Sequence, residues 1–356
     1  MAPNNYLLII ERKREMKNVN VAIVGATGAV GTKILEKLVE RNFPAKSIKL
    51  LASKRSAGNE IKAGGNTYIV QETTPEAFEG IDIAFFSAGG SISEMFAHEA
   101  VKRGAVVIDN TSAFRMDKNT PLVVPEVNPK ELTKHSGIIA NPNCSTIQMV
   151  AALKPIKDQY GLNRIIVSTY QAVSGAGVEA IDELSEQSKQ FSDRSEIQAE
   201  VLPSASAKRH YPIAFNAIPQ IDSFDESGYT LEELKMINET KKIFNDYEMS
   251  VAATCVRLPV VSGHSESVYI EIDQDNVTTS EIQALLEKAP GIVLQDDPTA
   301  QLYPMPLYAE GRDEVFVGRI RKDLNHPKGF HLWVVSDNLL KGAALNSVQI
   351  AEELIN

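Results

Sequence analysis

The chain has two cysteines, and their settings differ. Cys144 stands in the run Ala140-Asn141-Pro142-Asn143-Cys144-Ser145-Thr146, between a strand-like segment and a helical pattern. A thiol at a helix N-terminus feels the positive end of the helix dipole, which favours the thiolate and lowers a pKa of about 8.5. That is the setting of a nucleophile. A small buried residue is the ordinary alternative for a free cysteine, and Cys255, mid-strand with no glycine or helix start beside it, fits that alternative. A thiolate nucleophile also needs a partner for proton transfer. Of the six histidines, His264 has the best setting, in the turn Ser262-Gly263-His264 that follows a strand. A histidine that only hydrogen-bonds within the fold would look the same at this level.

Arg257 lies on the strand before that turn, and alternation puts it on the face of Val251 and Ala253. A guanidinium on an apolar face is costly unless paired. A carboxylate or phosphate ligand would pair it bidentately, and a structural acid is the rival. Glu239 and Lys242 are three residues apart on a helical pattern, so their side chains are neighbours. Taken alone they read as a surface ion pair. No His/Cys cluster has metal-ligand spacing, and no metal is expected.

The elements that must hold these groups alternate along the first part of the chain. VNVAIV (19–24) reads as a buried strand, 32–41 as a helix, 47–52 as a strand, 81–87 and 105–109 as strands with a helix at 93–103 between them. Strands alternating with helices imply a doubly wound parallel sheet. The first strand runs into GATGAVG, with Gly25, Gly28 and Gly31 opening a helix. Glycines let a backbone approach a pyrophosphate, and the helix N-terminus supplies free N–H groups. The second strand ends in Ala52-Ser53-Lys54-Arg55-Ser56, with hydroxyls and cations but no acid. An acid there would bind ribose hydroxyls, and cations suit a 2′-phosphate, so NADP is favoured over NAD. Ser87-Ala88-Gly89-Gly90 is a second small-residue loop at the same sheet edge.

The pattern shifts near Asn141. Residues 145–160 read as a helix whose last turn Pro155 kinks or shortens, followed by strands at 164–173, 251–261 and 267–273 and helices at 178–189 and 231–246. This is an α+β unit built on a sheet. Residues 190–210 read as a loop or a subunit contact, and 338–356 as a helix that packs back on the first unit. The expected units are therefore 17–143 plus 338–356, and 144–337. Residues 1–16 read as an extension, either an upstream-start artefact before Met16 or a disordered tail. The short apolar run 6–10 is followed, not preceded, by basic residues, unlike a signal peptide. No apolar run approaches the roughly 20 residues of a membrane span. A net charge of −10 argues against nucleic-acid binding, and two cysteines point to a reducing, cytoplasmic setting.

Together GATGAVG (25–31), DNTSAFR (109–115), VPEVN (124–128), NPNCST (141–146), YQAVSGAG (170–177), NAIPQID (216–222), ETKK (239–242) and RLPVVSGH (257–264) resemble the aspartate-semialdehyde dehydrogenase family, in order and spacing, over nearly all of 17–356. The compact length around 190–240 resembles its compact bacterial-type subgroup. The resemblance implies a Rossmann-like NADP domain plus an α+β catalytic and dimerisation domain, assembled as a homodimer or homotetramer. It implies NADPH-dependent reduction of β-aspartyl phosphate to aspartate semialdehyde and phosphate, an early step toward lysine, threonine, methionine and isoleucine. Cys144 would form a thioester, His264 would act as acid/base, and Gln171 would orient the substrate. Arg257 would take the substrate carboxylate and Glu239 its ammonium. Arg115 and Lys242 would take the phosphate, with Asn143 also at the substrate. Gly25, Thr27, Gly28, Ala29, Val30, Ser53, Arg55, Gly89, Ser174, Gly175 and Asn338 would surround NADP. Two rivals stay open: an N-acetyl-glutamyl-phosphate reductase, whose acylated substrate needs no partner for an ammonium, and a non-catalytic NADP-sensing module.

Overall fold

The computed structural model describes residues 18–195, 197–204 and 207–356. The expected N-terminal extension at 1–16 lies outside the described residues. A buried β-branched run forms β1 (Val19–Val24), which ends at Gly25 with φ +85°, a region that costs glycine nothing. α1 (Ala29–Glu40) follows, burying Ile34, Leu35 and Leu38 at helical spacing. Next come β2 (Ala45–Ala52), β3 (Glu60–Ala63) and β4 (Asn66–Glu72), then β5 (Ile83–Phe86), α2 (Gly90–Lys102), β6 (Val106–Asp109) and β7 (Ile138–Ala140). These strands form a seven-stranded sheet in the order β3-β4-β2-β1-β5-β6-β7. All neighbours are parallel except the β3–β4 pair.

That order decides where a site can lie. The chain leaves β1 to one side for β2 and returns to its other side as β5, so a crevice opens at their carboxyl ends. The loops after β1, β5, β6 and β7 all meet there. The β3–β4 hairpin was absent from the sequence reading, because both strands are largely exposed and lack an apolar face. Their signal is the Gly64-Gly65 pair, both at positive φ, which forms a two-residue hairpin loop.

The second half starts with α3 (Cys144–Tyr160) and β8 (Arg164–Gln171), then α4 (Val178–Ser188), α5 (Leu231–Ile243), β9 (Ser250–Arg257) and β10 (His264–Glu271). It continues with α6 (Thr279–Leu286), β11 (Ile292–Leu294), α7 (Pro306–Ala309), β12 (Val315–Lys322) and β13 (Gly329–Ser336). The six strands pair in the order β11-β12-β13-β10-β8-β9, mostly antiparallel. One sheet face is buried, where Met149, Leu153 and Ile156 of α3 pack with Met236 of α5, Ile282 of α6 and Val167, Val268 and Val334 of the strands. α3 runs to Tyr160, the expected end, with Pro155 inside it. The strands and the two helices between 279 and 336 went unassigned from the sequence.

The chain then returns to the first sheet. A π-helical turn, Leu340–Ala344, leads into α8 (Leu345–Ile355). Val348, Ile350 and Ala351 join the core that holds Ile34 and Leu38 of α1. Lys341 anchors this return. Its buried ammonium donates to Glu126 Oε2 at 2.6 Å, Gln349 Oε1 at 2.8 Å and Asn346 Oδ1 at 3.1 Å. Removing one partner of a buried pair strands the other, at about 3–5 kcal/mol. Lys341→Ala should lower stability in urea unfolding by about that much, and a change within about 0.5 kcal/mol, the range of an ordinary surface substitution, would show that this pair does not hold the return.

Candidate active site

Two adjoining cavities of about 470 Å³ each run along the carboxyl edge of the first sheet, and Ser87 lines both. Gly25, Thr27, Gly28, Ser53 and Arg55 line one of them. Ala29, Val30, Gly89, Ser174, Gly175 and Asn338 line the other, together with Cys144, Asn143, Gln171 and Arg115. Every residue expected around a dinucleotide therefore borders one cleft. Its walls admit a backbone-hugging ligand for a steric reason. A Cβ on Gly31 would sit 2.2 Å from the Gly25 carbonyl oxygen, so the loop closes onto the helix only with glycine there. The N-cap, Gly28, offers no side-chain cap, which leaves the first N–H groups of α1 for an anion. Lys54 and Arg55 are exposed and make no ion pair among the described residues. Glu72, from the end of β4, borders the same cavity.

At the other end, Asn143 holds the start of α3. Its Oδ1 accepts from the N–H groups of Ser145 at 3.0 Å and Thr146 at 3.2 Å. Its Nδ2 donates to Glu232 Oε1 at 2.8 Å, and its own N–H donates to Glu239 Oε2 at 2.6 Å. Arg115 braces the same segment from Nε to the Asn141 carbonyl at 2.9 Å, from Nη2 to the Asn110 carbonyl at 2.8 Å and from Nη1 to Glu239 Oε1 at 3.1 Å. Gln171 Nε2 donates to Glu232 Oε1 at 3.1 Å. Against the other side of Cys144 lies the π-turn, where a Cβ on Gly342 would come 2.7 Å from the Cys144 Cβ. The thiol is half-buried. Burial, with the Glu232 charge adding to it, pushes its pKa up to about 12, against the pull of Arg115, Arg257 and the Ser145 N–H. The helix N-terminus alone does not set the thiol, contrary to the reading from its position in the sequence.

His264 opens β10 and is fully buried. Its Nδ1 accepts the Ala172 N–H at 3.1 Å, so the neutral ring carries its proton on Nε2. That Nε2 has no hydrogen-bond partner among the described residues. Burial first, and then the Arg257 charge, push the ring's pKa down to about 3. Arg257 Nη1 donates to the carbonyl of the same Ala172 at 2.7 Å. Both groups sit directly behind Gly175, where a Cβ would lie 3.1 Å from Arg257 Nη1 and 3.4 Å from His264 Nε2. Gly175 borders the cavity and these two side chains do not, so glycine there keeps the layer between them and the cavity one backbone thick.

Two semialdehyde dehydrogenase models match the chain, the NAD binding domain over residues 20–135 and the dimerisation domain over 153–341. An aspartate-semialdehyde dehydrogenase of Bacillus subtilis is 65% identical over 95% of this chain and 98% of its own. One of Aquifex aeolicus is 54% identical over 94% and 97%. The chain belongs to the aspartate-semialdehyde dehydrogenase family. Among solved structures, aspartate semialdehyde dehydrogenase II of Vibrio cholerae, complexed with ASA, superposes with a TM-score of 0.89 at 48% identity, over 95% of this chain and 98% of that one. The Candida albicans enzyme with NADP superposes at 0.73 and 26% identity, over 95% and 98%.

The family membership does not carry every expected residue to the cavity. Lys242 turns away, its Nζ donating to the carbonyls of Arg115 at 2.6 Å, Asp117 at 2.7 Å and Thr120 at 2.8 Å. Glu239, 1% exposed, lies behind Asn143 and is absent from the cavity wall. Glu232 and Lys235 line the wall instead. They are the same i, i+3 pair set seven residues earlier, and seven residues are two helical turns, so both pairs share a face of α5. Lys235 Nζ reaches Glu232 Oε2 at 3.3 Å and Asp222 Oδ2 at 3.0 Å. Burial alone would raise Glu232, but the Lys235 charge, the Asn143 and Gln171 hydrogen bonds and Arg257 hold its pKa down to about 2. The available signal was the capping box of Thr230 and Glu233, which starts α5 and sets Glu232 in its first turn.

The buried neutral histidine ties stability to pH. Below an unfolded pKa near 6.5 the unfolded chain takes a proton that folded His264 refuses until about pH 3. His264's contribution is therefore fully present above pH 6.5 and falls away as pH drops toward 3. His264→Gln should lose less stability than the parent between about pH 6 and pH 4, by up to about 1.4 kcal/mol per pH unit in urea titrations. Parallel curves would mean that the ring is not held neutral.

Proposed function

We propose that this chain is an aspartate-semialdehyde dehydrogenase that reduces β-aspartyl phosphate with NADPH through a thioester on Cys144. The observation that carries this reading is the distribution of charge around that thiol. The substrate has a carboxylate, an ammonium and a phosphate at separate points. Arg257 and Glu232 offer a cation and an anion whose charges reach Cys144, and Arg115 and Lys235 offer two further cations along the cavity wall. Glu232 and Lys235 take the roles that the motif reading assigned to Glu239 and Lys242. Glu239 supports the nucleophile's segment. An acylated amine would bring no second cation to buried Glu232, whose one ion-pair partner among the described residues, Lys235, is wanted at the phosphate, and this disfavours the N-acetyl-glutamyl-phosphate rival.

Binding also favours the nucleophile. Glu232 is the acid whose charge raises the Cys144 thiol, and a substrate ammonium on Glu232 cancels that effect. On binding, the thiol releases its proton to solvent, the thiolate attacks the acyl carbon, and phosphate leaves toward Arg115 and Lys235. The nicotinamide, when bound, supplies the hydride that a thioester carbonyl accepts and a free carboxylate does not. Neutral His264 donates its Nε2–H as a hydrogen bond to the carbonyl oxygen as charge builds there. Collapse frees the aldehyde and restores the thiolate, so the imidazole need not gain or lose a proton in this direction. The departing phosphate takes its proton from solvent. Gln171 steadies Glu232 at the substrate. Gly25, Gly28 and the start of α1 suit the pyrophosphate, and Arg55 with Ser53 suits a 2′-phosphate, which supports NADP. The match to a dimerisation domain supports a homodimer or homotetramer. Among the described residues no helix is long and apolar enough to cross a membrane. A cytoplasmic place in lysine, threonine, methionine and isoleucine synthesis completes the proposal.

NADP reduction with aspartate semialdehyde should require phosphate, survive Cys255→Ser and vanish in Cys144→Ser. A folded, NADP-binding parent that is silent with this aldehyde would sink the substrate assignment. Lys235→Ala should raise the KM for phosphate by about tenfold or more, the scale of one charge-assisted contact. Arg55→Ala should raise the KM for NADP by a similar factor and leave that for NAD nearly unchanged. Equal effects on both dinucleotides would remove Arg55 from the 2′-phosphate.

A further inference from the structure

Glu266 is the most anomalous charged side chain outside the cavity wall. It is 0% exposed, and neither carboxyl oxygen has a hydrogen-bond partner at normal geometry. A buried polar group without a partner is rare and costly in a native fold. Its place is not random. Glu266 lies two residues after His264 on β10, so the two side chains share a strand face. The polar group pressed against it is the side-chain amide of Gln148. Gln148 stands one turn after Cys144 on α3, at i+4. Its Nε2 donates to the His264 carbonyl at 3.3 Å, and its Oε1 accepts from Ser336 Oγ at 2.7 Å. Gln148 thus ties the first turns of α3 to the start of β10.

We propose that Glu266 is a positioning residue for the reaction at Cys144, acting through Gln148 on the backbone that carries His264. An amide has two N–H groups and two lone pairs. With one of each used, Gln148 has one N–H and one lone pair left, the match for the C=O and O–H of a neutral carboxylic acid. Burial raises the Glu266 pKa well above the usual carboxylate range, which keeps that O–H in place. Ionisation would remove the donor and set a negative charge beneath the nucleophile. The titratable groups around it are few. Cys255 of β9 feels Glu266, Glu232 and Glu233. His264 is on its own strand, and its register partners Thr169 on β8 and Val334 on β13 do not titrate.

This inference rests on Cys144 and His264 acting as proposed above, and iodoacetamide labelling of Cys144 separates the two, because it needs no aldehyde. Labelling of the full chain should be measured against pH, beside kcat and KM, in Glu266→Leu and Glu266→Gln. A misplacement of about 1 Å near reacting groups can cost 100-fold. Glu266→Leu should therefore lower kcat by about ten- to 100-fold with the KM for aldehyde and phosphate within about twofold. Glu266→Gln, which restores both a donor and an acceptor, should recover most of that rate. Having no proton to lose, it should also label at a rate that rises more steeply at alkaline pH than the parent's, whose rise the ionising Glu266 blunts. Wild-type kcat in Glu266→Leu would overturn the proposal. So would a Glu266→Gln as impaired as Glu266→Leu, since the proton itself would then be the requirement. If Glu266→Leu does not fold, the alkaline profile of Glu266→Gln decides, and a profile identical to the parent's refutes the role. A parent that labels selectively at Cys144 but does not oxidise the aldehyde would defeat the substrate reading and leave Glu266 to be judged by labelling.

Discussion

Asn143 is the joint on which the site depends. Its side-chain oxygen caps α3, its side-chain nitrogen reaches Glu232, and its backbone N–H reaches Glu239. Each bond answers a different need. The cap satisfies helix N–H groups that would otherwise be orphaned. The two glutamates, two turns apart on α5, fasten that helix to the segment that carries Cys144. An element of the second sheet's layer is thereby registered against a loop of the first sheet, and the thiol gains a fixed position between them. Arg115 adds a second brace, because it clasps the carbonyls of Asn141 and Asn110 while pairing with Glu239.

The site is a set of buried charges held apart by backbone. Arg257 and His264 are separated from the cavity by a glycine, and both are oriented by Ala172, one on its carbonyl and the other on its N–H. That arrangement settles the histidine's tautomer without a carboxylate partner. It also leaves Arg257 short of anions, since its Nε has no partner among the described residues. Glu232 is the nearest counter-charge, and the same acid presses on the thiol. Burial and the Glu232 charge together favour the protonated Cys144 thiol. Under the proposed function a zwitterionic substrate would redistribute those charges, so that recognition and activation act on the same few atoms.

The fold was largely legible because its strands announce themselves. VNVAIV before a glycine loop, and the alternation of strands with helices after it, require a parallel sheet with a crevice at its carboxyl edge. The hairpin Glu60–Ala63 and Asn66–Glu72 escaped because it is an exposed extension with no buried face to produce a pattern. Residues 279–336 escaped for another reason. β12 and β13 are buried along much of their length and show no clean alternation, and β11 has only three residues. The helix through Pro155 was legible to its end at Tyr160, because one lost hydrogen bond does not break a helix packed along much of its length.

The sequence by itself determined the chemistry available: one thiol at a helix start, a glycine loop for a dinucleotide, an arginine and a histidine near the end of one strand and the turn after it. Motif spacing is a local property, and it survives without knowledge of the fold. Tertiary structure alone decided which of two identical pairs on α5 reaches the cavity. Glu232 with Lys235 and Glu239 with Lys242 are equivalent along the helix, since seven residues bring a side chain back to the same face. Only the docking of α5 against Asn143 and β9 sets its depth. The protonation of Cys144 was likewise decided in space, because burial and a glutamate far along the chain outweigh the pull of Arg115, Arg257 and the Ser145 N–H.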